Sequence, residues 1–138
     1  LQAVRDMIVA VRLLKYVENF QADFIYSHFA ASRSTVAMFL SSLLGVPFGM
    51  KLHAGDVFSR PALFRTKLNQ ASLQTTISNY NVNFIRQHYP DVDTSRLAIH
   101  HCGIPLNQYQ YVVGGRTTSP ARIVTVGRLV RMKGFGVR

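Results

Sequence analysis

The sequence predicts an α/β fold built on a doubly wound parallel sheet, and three observations carry that expectation. Short apolar, β-branched runs of about four to six residues alternate with helical patterns of about ten or more. Turns marked by Gly, Pro, Ser and Asn separate them. No apolar stretch reaches the roughly 18 residues of a membrane-spanning helix. The nearest candidate, Val36 to Phe48, is interrupted by Ser41, Ser42, Gly45 and Pro47.

The elements follow in order. Val4, Met7, Ile8, Val11, Leu14, Val17 and Phe20 fall at helical spacing, so Val4 to Phe20 is an amphipathic helix. Asp23 to His28 is a short strand. Ser32 or Ser34 is placed to cap a second helix, which Gly45 ends and Pro47 confirms. Phe48 to His53 is the second strand. Pro61 suits the first turn of a third helix reaching Gln70, and Leu73 to Ile77 is the third strand. Ser78 caps a fourth helix, Tyr80 to His88, stopped by Pro90. Leu97 to His101 is the fourth strand, and another begins at Arg122 after a polar, glycine-containing stretch.

This repeated βα order implies right-handed crossovers with helices on both faces of a Rossmann-like sheet. Ligands of such sheets bind beyond the carboxyl ends of the strands. His28, His53, Ser78 and Gly103 each stand at or just past a strand end and are expected along that edge.

The chain has 138 residues, enough for one domain that buries roughly two thirds of its unfolded surface. It opens on Leu1 without a leader-like segment and ends just after a glycine pair, and is read as a fragment cut at both ends. One cysteine, Cys102, excludes an internal disulfide and any zinc site needing several thiolates, so a reducing compartment is expected. Sixteen Lys and Arg against six Asp and Glu give a net charge of +10, which favours anionic partners. The cations are dispersed rather than blocked, against a dedicated nucleic-acid arm.

Two motifs carry candidate chemistry. In Gly127-Arg128…Lys133-Gly134 the glycine permits close backbone approach, Arg128 offers a fork of donors and Lys133 a mobile charge, a set suited to a diphosphate. Met132 and Gly134 depart from a Walker loop. A plain basic turn fits the same residues. His53-Ala54-Gly55-Asp56 sets an imidazole and a carboxylate directly after a strand, although Asp56 would also serve as a helix cap. Ser78 opens a helix whose free amides can meet a phosphate, or is simply its cap. His100 and His101 lie beside Cys102 but point to opposite faces of a strand, so no metal site is expected there.

Taken in order, several segments resemble the family 4 glycosyltransferases of the GT-B fold. They are Tyr26-Ser27-His28-Phe29, Leu44-Gly45-Val46-Pro47-Phe48, Leu52-His53-Ala54-Gly55-Asp56, Thr76-Ile77-Ser78, His101-Cys102-Gly103-Ile104, and Val126-Gly127-Arg128-Leu129 with Lys133-Gly134. The resemblance implies two Rossmann-like domains facing a cleft. Residues 1–110 would belong to the acceptor-side domain, 111–120 to a linker, and 121–138 to the start of the donor-side domain. It implies a retaining, metal-independent transfer from a nucleotide-diphosphate sugar, with no cofactor. Arg128, Lys133 and Gly127 would hold the diphosphate, His53 would sit by the transferred sugar, and Asp56 and Ser78 would support the site.

The glycine-rich loop and the glutamate pair of that family are absent, Glu18 being the one glutamate, so the piece is expected to be inactive alone. The implied acceptor is a glycan or a lipid-linked glycan of bacterial polysaccharide assembly. A cytoplasmic protein with peripheral contact to an anionic membrane surface fits that use, and no nucleic acid is expected. A noncatalytic nucleotide- or phosphate-binding module and a basic nucleic-acid-binding domain are the alternatives.

Overall fold

In the computed structural model, residues 1–110, 120, 123–130 and 133–135 are described. The chain divides into two compact units, Leu1–Gly103 and Ile104–Arg138.

The first unit runs α1 (Gln2–Asn19), β1 (Ile25–His28), α2 (Ser32–Leu44), β2 (Phe48–Leu52), α3 (Ala54–Phe58), α4 (Phe64–Gln70), β3 (Leu73–Thr76), α5 (Asn79–His88) and β4 (Leu97–Ile99). The four strands pair in parallel in the order β1-β2-β3-β4. The result is an α/β, Rossmann-like arrangement, with every connection stepping one strand over in the same direction. A doubly wound sheet reverses that direction at a switch point, and the described strands form one continuous run.

Strand periodicity divides the sheet into two unlike faces. Phe48, Met50 and Leu52 of β2 point to one side and are buried. They share a core with Ala37 and Met38 of α2, Val57 of α3, Phe64 and Leu68 of α4, and Val82 and Ile85 of α5. All four connecting helices therefore cover this face, and α1 packs on α2. The sequence expectation of helices on both faces is not met among the described residues. Connections that advance one way with right-handed crossovers must return on the same side.

Local signals explain most element ends. Gly45 closes α2 at φ +70°, a conformation it adopts without a Cβ penalty, and its N–H donates to Ser41 O. Ser78 caps α5 by accepting from Asn81 N–H at 3.3 Å. Neither Ser32 nor Ser34 caps α2. Its N-cap is Ala31, because the Ser34 hydroxyl turns back to Phe29 O, leaving Ser32 as the first helical residue.

The helix expected from Pro61 to Gln70 is present as α4 but starts three residues later, at Phe64. Pro61 disfavours the α conformation at Arg60, which takes φ +50°, and Leu63 at φ +55° becomes the N-cap of α4. Before Pro61, where the sequence reading saw only a possible cap at Asp56, Ala54–Phe58 form a further short helix, α3, with His53 as its N-cap.

In the second unit, Leu106–Gln108 is a single 3₁₀ turn. Arg122 and most of the expected 111–120 linker lie outside the described residues. Ile123 to Leu129 carry no strand pairing and are exposed, so the strand expected from Arg122 is not seen over these residues. A β-prone run becomes a strand only beside a partner that takes up its N–H and C=O groups.

Candidate functional site

The carboxyl ends of β1 and β2 bring two sequence-nominated histidines together. His28 is the last residue of β1, and His53 follows β2 as N-cap of α3. Their ring centroids are 6.2 Å apart. Phe29, held at φ +71°, stacks on His53 at 4.6 Å and 29° between planes, and the Arg33 guanidinium lies 5.6 Å from the centre of the Phe29 ring. His28, Phe29 and Arg33 also line a surface cavity of about 430 Å³ between β1 and α2.

Asp56 is buried and accepts from His53 N–H at 3.1 Å, the carboxylate half of a capping box. This fixes the backbone that carries the imidazole. His53 Nε2 is itself buried without a hydrogen-bond partner among the described residues. A buried polar atom left unpaired carries a desolvation cost that a bound hydroxyl or phosphate oxygen would relieve.

Beneath this edge lies a residue the sequence reading missed. Lys67 of α4 is fully buried, and its Nζ donates to Ala30 O, to Ala31 O at 3.3 Å and to Thr35 Oγ1 at 3.1 Å. All three donors are engaged, tying down the turn just after His28 and Phe29. Burial pushes the Lys67 ammonium down to about 8, against the opposing attraction of Asp6 and then Asp56. The available signal was spacing: Phe64, Lys67 and Leu68 stand at i, i+3 and i+4, placing a lysine within the apolar stripe of its helix.

Past β3, Ser78 spends its hydroxyl as the cap of α5, while Asn81 Nδ2 donates to Thr76 Oγ1 at 3.0 Å. After β4 the two adjacent histidines make different contacts. His100 Nδ1 faces Lys51 Nζ at 3.4 Å, whereas His101 Nδ1 donates to Ile77 O at 2.8 Å. Gly103 is exposed beyond them.

Arg128, Lys133 and Gly127 belong to the second unit. Arg128 and Lys133 are exposed, and Lys133 N–H donates to Val130 O at 2.9 Å. Gly134 adopts φ +74° directly after Lys133. The Phe135 ring packs so closely on Gly127 that a Cβ there would stand 3.0 Å from its Cζ. The glycine therefore admits an aromatic ring, a use the sequence reading did not foresee.

Among the described residues, no group of three His, Cys, Asp or Glu side chains is placed to hold a metal ion, and no helix is long and apolar enough to cross a membrane. No protein-family model matches this chain, and no curated protein matches it.

Proposed function

We propose that these residues form part of a retaining, metal-independent glycosyltransferase of GT-B type, similar to family 4, which moves a sugar from a nucleotide-diphosphate donor to a glycan or lipid-linked acceptor. The observation that carries the reading is His53: an imidazole at the carboxyl edge of a parallel sheet, its backbone fixed by Asp56, its ring braced by Phe29, and its Nε2 buried without a hydrogen-bond partner among the described residues. Such an atom is suited to a sugar hydroxyl. The doubly wound sheet and the two-domain cleft belong to the same proposal.

In this reading the bond between the anomeric carbon and the diphosphate breaks, and the acceptor hydroxyl oxygen bonds to that carbon on the same face. The acceptor proton leaves with the departing diphosphate. Arg128 and Lys133, both exposed on the loop that Gly134 bends, supply positive charge where the leaving group gains negative charge. His53 orients the sugar, and Asp56 and Ser78 hold the local backbone.

The test is release of nucleoside diphosphate from a panel of nucleotide sugars, by a chain that includes the further donor-side residues the family calls for. Wild type should turn over one donor. His53→Ala, folded by circular dichroism, should lose turnover, and Arg128→Ala with Lys133→Ala should lose donor binding. Donor binding with no turnover in any form would favour the noncatalytic phosphate-binding module. Binding that instead tracks total Lys and Arg content with a steep salt dependence would favour nucleic acid.

A further inference from the structure

At the carboxyl end of the sheet, the face opposite the core gathers hydrogen-bond donors. Register places His28, Lys51, Thr75 and Ala98 side by side there, with Tyr26 and Gly49 one row behind. Strand alternation puts His100 on the same side two residues beyond Ala98, and His53, extended at φ −114° and ψ 161°, two residues beyond Lys51.

Lys51 decides the chemistry of this end. It is 9% exposed, and among the described residues its Nζ has one hydrogen-bond partner, His100 Nδ1 at 3.4 Å. Lys67 is the contrast, a buried lysine whose three donors all meet oxygen acceptors. Two Lys51 donors have no such partner, and its charge meets no carboxylate: the ion pair found among the described residues is Arg65 with Asp91. Lysines this buried are ordinarily paired. Residues 94–138 contain no Asp or Glu, so the second unit cannot provide one. The groups around Lys51 add donors. An ammonium can only donate, so His100 accepts at Nδ1 and carries its proton on Nε2. Tyr26 and Thr75 bond hydroxyl to hydroxyl at 3.1 Å, which uses one of their two protons and leaves the other to donate. His28 is exposed in the same row.

We propose that Lys51, His100, His28 and the Tyr26–Thr75 hydroxyl pair form a phosphate site and that, resting on the glycosyltransferase reading, it holds a phosphomonoester carried by the acceptor sugar. The donors come from all four strands rather than from one planar fork, which suits a tetrahedral oxyanion better than a flat carboxylate. A phosphomonoester also brings about −1.5 to −2 of charge to the unmatched ammonium. The sugar follows from position. Lys51 and His53 are two residues apart along one extended run, about 7 Å. His28 joins them, strand-paired with Lys51 and with its ring 6.2 Å from that of His53. A phosphate at Lys51 therefore sets the sugar it belongs to beside the His53 imidazole.

The experiment is titration of the 138-residue protein with inorganic phosphate and with glucose 6-phosphate, followed by NMR of the histidine rings. Salt of about 0.15 M screens exposed charges beyond about 8 Å. Both ligands should shift His28 and His100 saturably and compete with each other. Glucose 6-phosphate should bind the more tightly and shift His53 as well, and glucose alone should do neither. Lys51→Met should weaken both ligands at least about tenfold. His100→Ala, at an exposed position past the strand end, should weaken them with the fold intact by circular dichroism, and it decides the matter if Lys51→Met does not fold. Lys15→Met, an exposed lysine of α1, should bind like wild type. No saturable shift, unchanged binding in the folded variants, or an equal loss in Lys15→Met would overturn the site. Equal affinity for the two ligands without a His53 shift, or binding through Lys51 only to vesicles containing phosphatidic acid, would overturn the sugar as carrier of the phosphate. These readouts are of binding alone. A missing release of nucleoside diphosphate would sink the transferase reading and leave the phosphate site standing, and a failed phosphate site would leave that release intact.

Discussion

Phe29 stacks on the His53 imidazole at 4.6 Å, and it does so from a left-handed backbone, φ +71°, that an aromatic residue adopts only under constraint. The constraint comes from below: Lys67 holds the carbonyls of Ala30 and Ala31, and Ser34 holds the carbonyl of Phe29 itself. A buried cation thereby sets the angle at which a ring braces a nominated sugar-binding histidine.

That arrangement orders two variants. Phe29→Ala loses the ring contact, about 0.5–1.5 kcal/mol, and keeps the strained backbone. Phe29→Gly loses the same ring but occupies the left-handed region freely. Phe29→Gly is expected to be the more stable by about 1 kcal/mol in urea denaturation. Equal midpoints, or the reverse order, would show that this backbone angle is not retained in solution.

Lys67 predicts a pH dependence of definite sign. Its folded value of about 8 lies below the ordinary 10.5, so between those values the unfolded chain binds more protons than the folded one. Stability attributable to this group is therefore lowest below pH 8 and rises as pH climbs from 8 toward 10.5, by up to about 3 kcal/mol. Lys67→Met removes the rise. Chemical denaturation of both proteins at pH 7 and pH 10 isolates it, since tyrosines and other lysines contribute equally to each. Parallel pH profiles for the two proteins would refute it.

Ser78→Ala is expected to lower stability by about 1 kcal/mol by freeing the Asn81 N–H at the start of α5, with Ser78→Asp restoring most of it. The proposed ligand role is separable: Ser78→Asp should keep the helix yet repel a phosphate. A ligand-free stability difference near zero for Ser78→Ala would contradict the cap.

Gly49→Ala is expected to be costly for its size. A Cβ there would stand 2.9 Å from Leu73 Cβ, 2.9 Å from Phe24 Cζ and 3.0 Å from the Leu73 carbonyl oxygen. The phenyl ring can yield, but the neighbouring strand cannot without breaking register, so a loss of about 1–3 kcal/mol is expected. Adding Leu73→Ala should not restore it, because the obstructing Cβ remains. A thermal-shift series across the single and double variants reads this directly.

What could be read ahead of the structure was what depends on a few adjacent residues. Gly45 and Ser78 mark helix ends through their own backbone and hydroxyl, and the parallel sheet follows from repeated βα spacing. Ser32 and Ser34 misled because a serine near a helix start can bond backward as well as forward, and only the position of Phe29 O decides. Pro61 was read as the first turn of a helix, whereas α4 begins at Phe64 after the left-handed Leu63. At the site, His28 and His53 were legible as strand-end residues, whereas the Phe29 stack and the carbonyls that Lys67 holds come from separate elements, so the spacing of Lys67 could mark its burial but not its partners. That the connecting helices of the described residues lie on one face followed from strand order, which composition does not encode.

The sheet's one-way order also bears on how it assembles. Ile25 pairs with Phe48, Gly49 with Leu73 and Gln74 with Leu97, intervals of 23, 24 and 23 residues. Each new strand therefore meets one that left the ribosome just before it, and every closure involves a loop of nearly the same modest length. Among the four described strands, none has to wait for a distant segment to pair with its sequence neighbour. Assembly can proceed as a series of equal steps from β1 toward β4, the low-contact-order route that parallel sheets with a reversed winding cannot follow throughout.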